Sequence, residues 1–414
     1  MSKFARWFAG AFLAIALAFS AYAQQPLKIG FGMSLTGPLA GNGKAALIAM
    51  QIWAEDVNAK GGILGRKVEL VYYDDQTNPS TVPSIYNKLL DVDKVELLVS
   101  GYGTNVIAPA MPIVMQRNMA FMGLFGLNVN SKFNYDRYFQ IMPAGPEPAI
   151  GWTQGFFDTA MALAPKPQTI ALVGADAEYP ALALEGARAQ AKRTGLKVVY
   201  DKTYPPNAVD FSPILRAIQA TSPDLVFVAS YPPDSAGMVR AANEVGLKTR
   251  MFGGGMVGPQ FAALKTQLGP LLNGIVNYET FVPEVAAKFP FLDQFLAKYQ
   301  GRAIKEGVDP LGFYLPPYAY AMMQVLEQSI KAVGGLDQAK LADYMHTYEF
   351  DTFVGKVRFA KNGEWAVPRM LTVQYHGISG NELEQWMKPG HVTVLAPASY
   401  KTGAVMTPYQ DNKK

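Results

Sequence analysis

The feature that most constrains the fold is a regular alternation of short apolar runs with stretches of helical period. It begins at Lys28 and restarts after residue 148. Strands are predicted over 28–34, 68–74, 95–100 and 119–124 in the first series, and over 169–174, 198–204, 225–230, 250–253 and 274–281 in the second. Alternating strands and helices predict parallel strands joined by right-handed crossovers. The predicted fold class is therefore α/β, with doubly wound sheets.

The two series are similar enough to indicate two lobes of the same construction. Residues 97–102 and 121–126 of the first series echo 225–231 and 251–255 of the second. A Pro-rich segment, 142–148, separates the series. Two similar α/β lobes in one chain are the simplest account of this pattern.

The last third of the chain departs from the regular alternation. A helix is predicted from Asp309-Pro310 to about Val333, and residues 356–375 are predicted to form a hairpin with Asn362-Gly363 as its turn. From about Tyr400 the sequence is polar, which predicts a poorly ordered tail over 400–414.

The first 23 residues have the pattern of a secretory signal peptide. Lys3 and Arg6 precede an apolar stretch of 13 residues, and Ala21-Tyr22-Ala23 is a small-x-small cleavage site. A membrane anchor is the alternative, but a span needs about 20 apolar residues. The chain has no cysteine, which excludes a lipoprotein anchor. The sequence thus predicts an exported, periplasmic protein, cleaved after Ala23 and without a lipid anchor.

Composition and motifs argue against catalysis and against nucleic-acid binding. The absence of cysteine excludes disulfides, thiolate metal sites and thiol nucleophiles, and the three histidines are scattered. The net charge of +4 is small and its basic residues are dispersed, unlike a nucleic-acid interface. No nucleophile elbow, zinc-protease motif or P-loop is present. We therefore predict no enzyme activity, no metal site and no cofactor.

Two motifs that suggest chemistry have simpler interpretations. Gly253, Gly255 and Gly258, with Glu279 about 20 residues on, match a dinucleotide fingerprint. The match lies in the second series of an exported chain, so a tight loop at a strand end is the preferred interpretation. Asp74-Asp75 could be a catalytic or calcium pair, but neighbouring strand residues point to opposite faces, which favours a structural role in the following turn.

The loop after the third predicted strand is the best candidate for ligand binding. In open α/β sheets the ligand crevice lies beyond the carboxyl ends of the strands. Ser100-Gly101-Tyr102-Gly103-Thr104-Asn105 is such a loop and leads into a helix. Its glycines permit close approach to a ligand, and Thr104 with the N–H groups at Thr104 and Asn105 favours a carboxylate. An ordinary helix cap with nothing bound is the alternative.

Aromatic residues recur at the matching strand ends and at the starts of helices that face the cleft. Each aromatic residue alone is more often part of a core than of a binding site. Their shared placement predicts an aromatic-lined cleft. The residues concerned are Tyr102, Phe125, Tyr179, Tyr231, Tyr278 and Tyr314.

At this point the sequence resembles the leucine/isoleucine/valine-binding family of periplasmic receptors that serve ABC importers. The resemblance rests on segments spread along the chain, chiefly 29–38, 58–65, 73–75, 78–79, 177–179 and 309–312. It implies the type I periplasmic binding fold, in which two lobes joined by three hinge crossings close on a ligand. The first lobe would comprise 26–143 and 278–352, and the second 144–277 and 353–399.

The resemblance also implies roles for individual residues. Thr104 inherits the role of binding a ligand carboxylate, and Asn42, Tyr179 and Tyr231 match positions that contribute to the cleft. Amino-acid receptors of the family hold the α-ammonium group with a threonine and an acidic residue, and these positions correspond here to Leu127 and Gly255. A buried ammonium without a charged partner is disfavoured.

The sequence therefore resembles the branch of the family that binds aromatic or other hydrophobic carboxylates. The leading hypothesis is a monomeric receptor that delivers such an acid, similar to benzoate or cinnamate, to an inner-membrane ABC permease. A branched-chain amino-acid receptor is one alternative, and a ligand-sensing domain that feeds a signalling partner is another. A periplasmic enzyme on the same scaffold would need a nucleophile and a base, and the sequence offers no recognisable pair.

Overall fold

A computed structural model describes residues 25–413 except residue 290. The described chain alternates strands and helices through most of its length. The strands are β1 Leu27–Met33, β2 Val68–Asp74, β3 Leu97–Tyr102, β4 Phe121–Leu124, β5 Tyr138–Gln140, β6 Thr169–Ala175, β7 Lys197–Tyr204, β8 Leu225–Ser230, β9 Met251–Met256, β10 Val276–Glu279, β11 Phe350–Thr352, β12 Gly355–Val357, β13 Leu371–Tyr375 and β14 Val392–Ala396. The helices are α1 Ala40–Ala59, α2 Val82–Asp91, α3 Thr104–Ile107, α4 Met111–Gln116, α5 Asn130–Phe133, α6 Pro148–Met161, α7 Glu178–Thr194, α8 Ser212–Ala220, α9 Pro232–Glu244, α10 Ala262–Leu268, α11 Leu292–Glu306, α12 Pro316–Val333 and α13 Gln338–Thr347.

Two separate sheets carry the architecture. The first has the strand order β2-β1-β3-β4-β5 and all its pairings are parallel. The second has the order β14-β13-β10-β9-β8-β6-β7, in which β13 runs antiparallel to both its neighbours and all other pairings are parallel. Strands that are buried throughout, such as β3 and β8, have the continuous apolar composition expected of parallel strands covered on both faces.

The region after β10 returns to the helices that cover the first sheet. α12 packs against α1, and α11 also contacts α1. α12 is apolar where it is covered, and its residues Ala319, Met322 and Met323 are fully buried. At the rim of this contact, the indole N–H of Trp53 in α1 donates to the Glu327 carboxylate in α12 at 3.0 Å. The chain segment between β10 and β13 thus contributes to the helical layer over the first sheet.

The predicted strands are confirmed, with shifts of a few residues at their ends. β2 and β8 have the predicted bounds, and β9 runs on to Met256 rather than ending at Gly253. The helix predicted from Asp309 begins only at Pro316. The delay has a local cause: the Asp309 carboxylate accepts from the backbone N–H groups of Leu311 and Gly312, and Gly312 has a φ of +67°. These contacts hold residues 309–312 in a turn.

The predicted hairpin over 356–375 is largely wrong. The Asn362-Gly363 turn closes only an isolated bridge between Phe359 and Trp365. The strands on either side pair elsewhere, β12 with β11 and β13 with β10 and β14. β13 pairs instead with β14, a strand that the sequence analysis did not predict. β14 is a longer apolar strand than β12, which precedes the Asn362-Gly363 turn.

The prediction of a poorly ordered tail is also wrong. Tyr409 is buried, and its backbone N–H donates to the Thr249 carbonyl at 3.0 Å. Gln374 of β13 accepts from the Met406 N–H at 2.7 Å and donates to the Met406 carbonyl at 2.8 Å. One buried side chain and two backbone hydrogen bonds to β13 therefore hold this polar segment along the second sheet.

The predicted signal peptide, residues 1–23, lies outside the described residues. Among the residues that are described, no helix combines the length and apolar character needed to cross a membrane.

Candidate ligand-binding site

The loop after β3 has the geometry expected of a site for a ligand carboxylate. Gly103 precedes α3 with a φ of +103°, a conformation that favours glycine. Its N–H donates to the Leu124 carbonyl of β4, which fixes the loop to the neighbouring strand. Thr104 and Asn105 occupy the first helical positions, whose N–H groups have no acceptor within the helix. The Thr104 side chain is buried and faces the loop after β4.

The loop after β4 supports Thr104 from the other side. The Thr104 hydroxyl oxygen accepts from the Leu127 N–H at 2.9 Å. Phe125 has a positive φ of 59°, and its N–H donates to the Gln140 side chain at 3.0 Å. Because the Thr104 oxygen is used as an acceptor, its proton remains the group that can be donated to a ligand. The two loops therefore form one pre-arranged wall.

Aromatic residues from the second sheet's helices form the opposite wall. Tyr179 lies in the first turn of α7 and donates its hydroxyl to the Gly255 carbonyl at 2.8 Å. Its ring lies 5.7 Å from the Tyr231 ring, at the start of α9, and 5.8 Å from the Trp152 ring of α6. These contacts hold the tyrosine rings toward the first wall.

The two walls enclose a small cavity of about 20 Å³. Its lining combines both loops of the first sheet with the aromatic wall of the second. The lining residues are Tyr102, Gly103, Thr104, Phe125, Leu127, Met142, Trp152, Tyr179, Tyr231, Val257 and Tyr314. Eight of the predicted site residues thus lie together, although they come from distant parts of the chain.

The other four predicted residues lie next to this cavity. Gly255 stands behind Tyr179 as the acceptor of its hydroxyl, and Tyr278 lies behind Tyr314, with 3.2 Å between their hydroxyl oxygens. Asn42 and Asn105 line two larger cavities that flank the central one.

Sequence reasoning missed three lining residues, Met142, Trp152 and Val257. Met142 belongs to the Pro-rich segment, which the sequence analysis treated as a boundary between the two series. Trp152 lies inside α6, where an apolar side chain is ordinarily part of the core. Val257 follows the last residue of β9, and its placement at a strand end is the one signal that could have identified it.

The cavity wall carries hydroxyl groups but no charged side chain among its described lining residues. The Tyr314 hydroxyl lies 3.3 Å from that of Tyr102 and 3.2 Å from that of Tyr278. Burial raises the pKa of Tyr102 to about 12, and it raises the pKa values of Tyr179, Tyr278 and Tyr314 as well. These phenols are therefore neutral near pH 7, and each can donate a hydrogen bond.

Two contacts span the cleft on either side of the cavity. Lys132 of α5 forms an ion pair with Glu178 of α7, with 2.7 Å between Nζ and Oε1. The Asp309 carboxylate accepts from the Ala262 N–H at the start of α10 at 3.0 Å. Each contact joins the region over the first sheet to a helix of the second. Together they hold the two regions against each other.

The motifs set aside in the sequence have structural partners. The Asp75 carboxylate accepts from the Ser34 hydroxyl at 2.6 Å, and Asp74 accepts from backbone N–H groups in the turns around it. This is the structural role predicted for the pair. Of the fingerprint glycines, Gly253 and Gly255 lie inside β9 rather than in the predicted strand-end loop. Glu279 is paired with Lys265 at 2.8 Å.

The histidines and the carboxylates do not assemble a metal site in the described residues. No group of three or more His, Asp or Glu side chains lies close enough to hold a metal ion. His346 contacts the Asp136 carbonyl at 2.6 Å, and His391 lies 3.3 Å from the His376 carbonyl.

Comparison with known proteins places this geometry in a family. A family model described as "Periplasmic binding protein" matches residues 26–379. The Leu/Ile/Val-binding protein of Escherichia coli strain K12 is 25% identical over 358 residues, which cover 84% of this chain and 91% of that protein.

Two solved structures share the fold. One is the branched-chain amino acid transporter substrate-binding protein LivJ from Streptococcus pneumoniae in complex with isoleucine. It has a TM-score of 0.71 and 19% identity, and the match covers 90% of this chain and all of that one. The other is a solute-binding protein of an ABC transporter from R. palustris in complex with benzoate. It has a TM-score of 0.71 and 17% identity, and the match covers 89% of this chain and 95% of that one.

These similarities confirm the predicted type I periplasmic binding fold and the prediction that the chain is not an enzyme. The family model spans most of the sequence, and the aromatic cleft lies where the two α/β regions meet. The chain belongs to the periplasmic binding protein family, whose members bind solutes for ABC transporters.

Proposed function

We propose that the protein is a periplasmic receptor that delivers a small hydrophobic, aromatic carboxylate to an inner-membrane ABC permease. The observation that carries the proposal is an uncharged, aromatic cavity with one aliphatic hydroxyl, that of Thr104, at a helix start. The ligand carboxylate accepts from the Thr104 hydroxyl and from the N–H groups of Thr104 and Asn105. The rings of the cavity wall enclose the remainder of the ligand.

The charge of the cavity wall supports an acid without an ammonium group. An α-amino acid carries a positive charge that needs a carboxylate when it is buried. Leu127 and Gly255, at the positions that correspond to the ammonium-binding residues of amino-acid receptors, offer none. Phe125 and Leu127 make the same wall apolar. Of the two solved structures that share the fold, one is a complex with benzoate and the other a complex with isoleucine.

A second candidate ligand is a carboxylate that bears a quaternary ammonium group. The cavity is walled by six aromatic side chains, and the faces of such rings attract cations that lack N–H donors. In this case Thr104 still holds the carboxylate. The rings replace the acidic residue that an ordinary ammonium would need.

The size of the cavity implies that ligand entry requires the lobes to separate. A volume of about 20 Å³ holds about one water molecule, so a ring cannot enter between the walls as they stand. We propose that residues 26–143 and 278–352 form one lobe and that 144–277 and 353–399 form the other. Hinge opening between them admits the ligand, and closure encloses it for recognition by the permease.

The proposal also covers location and assembly. The N-terminal 23 residues direct export to the periplasm and are removed, and the mature protein diffuses without a lipid anchor as a monomer. A signalling partner in place of a permease is the alternative. A deletion strain distinguishes them, since loss of uptake of the ligand is expected only for a transport receptor.

The test begins with mass spectrometry of ligand released from the purified protein. Thermal-shift measurements then compare benzoate and cinnamate with leucine, valine and glycine betaine. We expect the aromatic acids to raise the melting temperature and the amino acids to leave it unchanged. Stabilisation by leucine or valine alone contradicts the assignment, and stabilisation by glycine betaine alone selects the second candidate.

A further inference from the structure

A groove beside the central cavity has no assigned role. It has a volume of about 510 Å³ and lies between the first-lobe segments 38–44 and 307–310 and the second-lobe helix α10. Most of the side chains that line it are apolar. They include Pro38, Pro232, Phe261, Leu264, Val308, Pro310 and Leu383. The groove therefore offers an apolar surface that both lobes share.

Two of the polar side chains that line the groove are held by the protein itself. The Asp309 carboxylate accepts from the N–H groups of Ala262, Leu311 and Gly312. The Asn42 side chain is 3% exposed, and its amide is turned toward the Tyr102 hydroxyl, which belongs to the central cavity. What the groove offers a bound molecule is therefore chiefly its apolar lining.

The groove is separated from the central cavity by one layer of side chains. Phe261, which lines the groove, packs edge to face on Tyr314 of the cavity, with 5.2 Å between ring centroids. On the other side, Asn42 is a neighbour of the Tyr102 hydroxyl. Movement of the Tyr314 ring, or slight separation of the lobes, joins the two spaces.

The role of the groove follows from a comparison of its volume with that of the central cavity. The central cavity holds about one water molecule, whereas the groove is the size of an ordinary small-molecule site. We infer that the groove holds the distal, apolar part of a carboxylate longer than benzoate. Thr104 anchors the carboxylate, the tyrosine rings hold the middle of the molecule, and the apolar lining of the groove packs against its distal end. This inference rests on the proposed function and narrows its ligand class to arylalkanoates and similar extended acids.

The test measures binding of a series of acids by isothermal titration calorimetry. The probes are benzoate, phenylacetate, 3-phenylpropanoate and 4-phenylbutanoate. If added methylene groups place the ring in the groove, affinity rises by about threefold to fourfold for each one. An affinity that is flat or falls with length overturns the inference and leaves the proposed function standing. Failure of every acid to bind overturns both.

A groove-filling variant locates the effect of length. Ala263 is an exposed residue that lines the groove, and Gln267 is an exposed residue on the same helix outside the groove's lining. We expect Ala263→Trp to weaken 4-phenylbutanoate at least tenfold and to change benzoate by less than twofold. Gln267→Trp is the matched control and should change neither. Equal effects of Ala263→Trp on both acids, or no effect on either, would place the distal end outside the groove.

Discussion

Two neighbouring residues of β10 face very different surroundings. Tyr278 points to the ligand-binding side, where its hydroxyl contacts Tyr314 and its ring lies 4.2 Å from the Trp152 ring. Glu279 points to the other face, as the next residue of a strand must, and pairs with Lys265. One side of the strand supports a cavity wall without charge, and the other holds a buried ion pair.

The comparison shows where the protein places buried charge. Lys265 also donates to the Pro259 carbonyl at 2.5 Å, and its ammonium group lies 5.2 Å from the Tyr375 ring and 5.1 Å from the Trp386 ring. The Tyr375 hydroxyl donates to Glu279 at 2.8 Å. The Lys265 ammonium group and the Oε1 atom of Glu279 are thus held by their own neighbours. The cavity wall, by contrast, carries neutral hydroxyl groups and no charged side chain among its lining residues.

The largest expected effect is on stability, and it comes from removing one partner of the buried Lys265–Glu279 ion pair. Glu279→Ala leaves the buried Lys265 ammonium without its partner, so we expect the free energy of unfolding to fall by about 3 to 5 kcal/mol. Urea denaturation measures the change. In the double variant Lys265→Met/Glu279→Leu no unpaired charge remains, and much of the loss should be recovered. A loss under about 1 kcal/mol for the single variant would contradict a structural role for the pair.

Asp234 is a buried acid close to Tyr231 of the cavity wall, and its titration should make the stability of the protein depend on pH. It is buried in the first turn of α9, three residues after Tyr231, and it accepts from the Tyr204 hydroxyl at 3.2 Å. Burial raises the pKa of Asp234 from 3.8 to about 6. Between about pH 4 and pH 6 the folded state therefore holds a proton that the unfolded state has lost, and this contribution to stability disappears as the pH rises.

We expect the loss of this proton to lower the free energy of unfolding by about 2 to 3 kcal/mol as the pH rises from 4 to 7. Asp234→Asn removes the titration and should remove that part of the pH dependence. Denaturation curves at both pH values measure it, with the exposed Asp210→Asn as control. If the two variants show the same pH dependence, Asp234 is not the group that titrates.

A substitution of Thr104 tests whether the uncharged cavity wall binds the ligand. Thr104→Val removes the hydroxyl that accepts from the Leu127 N–H and that we propose donates to the ligand carboxylate. We expect binding of the aromatic acid to weaken by about 1 to 3 kcal/mol, measured by calorimetry. Thr104→Ser keeps the hydroxyl and should retain most of the affinity. An unchanged affinity in the valine variant would remove Thr104 from the site.

The sequence predicted the cleft better than it predicted the connections around it. Strand-end residues such as Thr104 and Tyr179 were found because parallel strands place their carboxyl ends along one edge of a sheet. Trp152 and Met142 were missed because they belong to a helix and a crossing segment. Their approach to the cavity depends on how the two sheets are set against each other, which no local pattern encodes.

The errors in the last third of the chain have a similar physical origin. Asn362-Gly363 is a strong local signal for a hairpin, yet β13 pairs with β10 and β14. The buried strand β10 gives β13 a partner that the local turn cannot match. For the tail, the buried Tyr409 outweighs a polar composition. In both cases long-range packing determined the structure, and the local sequence propensity predicted a different one.

The smallest expected effect concerns a charge at the rim of the cleft. Lys132 and Glu178 are partly exposed, and such pairs contribute about 0.2 to 1 kcal/mol. In the hinge motion that we propose, this pair joins the two lobes only in the closed form, so Lys132→Ala should weaken ligand binding by less than about fivefold at 50 mM NaCl. The difference from the wild type should nearly vanish at 500 mM NaCl, where salt screens exposed charges. Lys331→Ala breaks a pair with Glu327 within α12 and is the control, because that pair is the same in the open and closed forms. A loss of affinity that persists at high salt, or that Lys331→Ala reproduces, would show that the Lys132 pair does not stabilise closure.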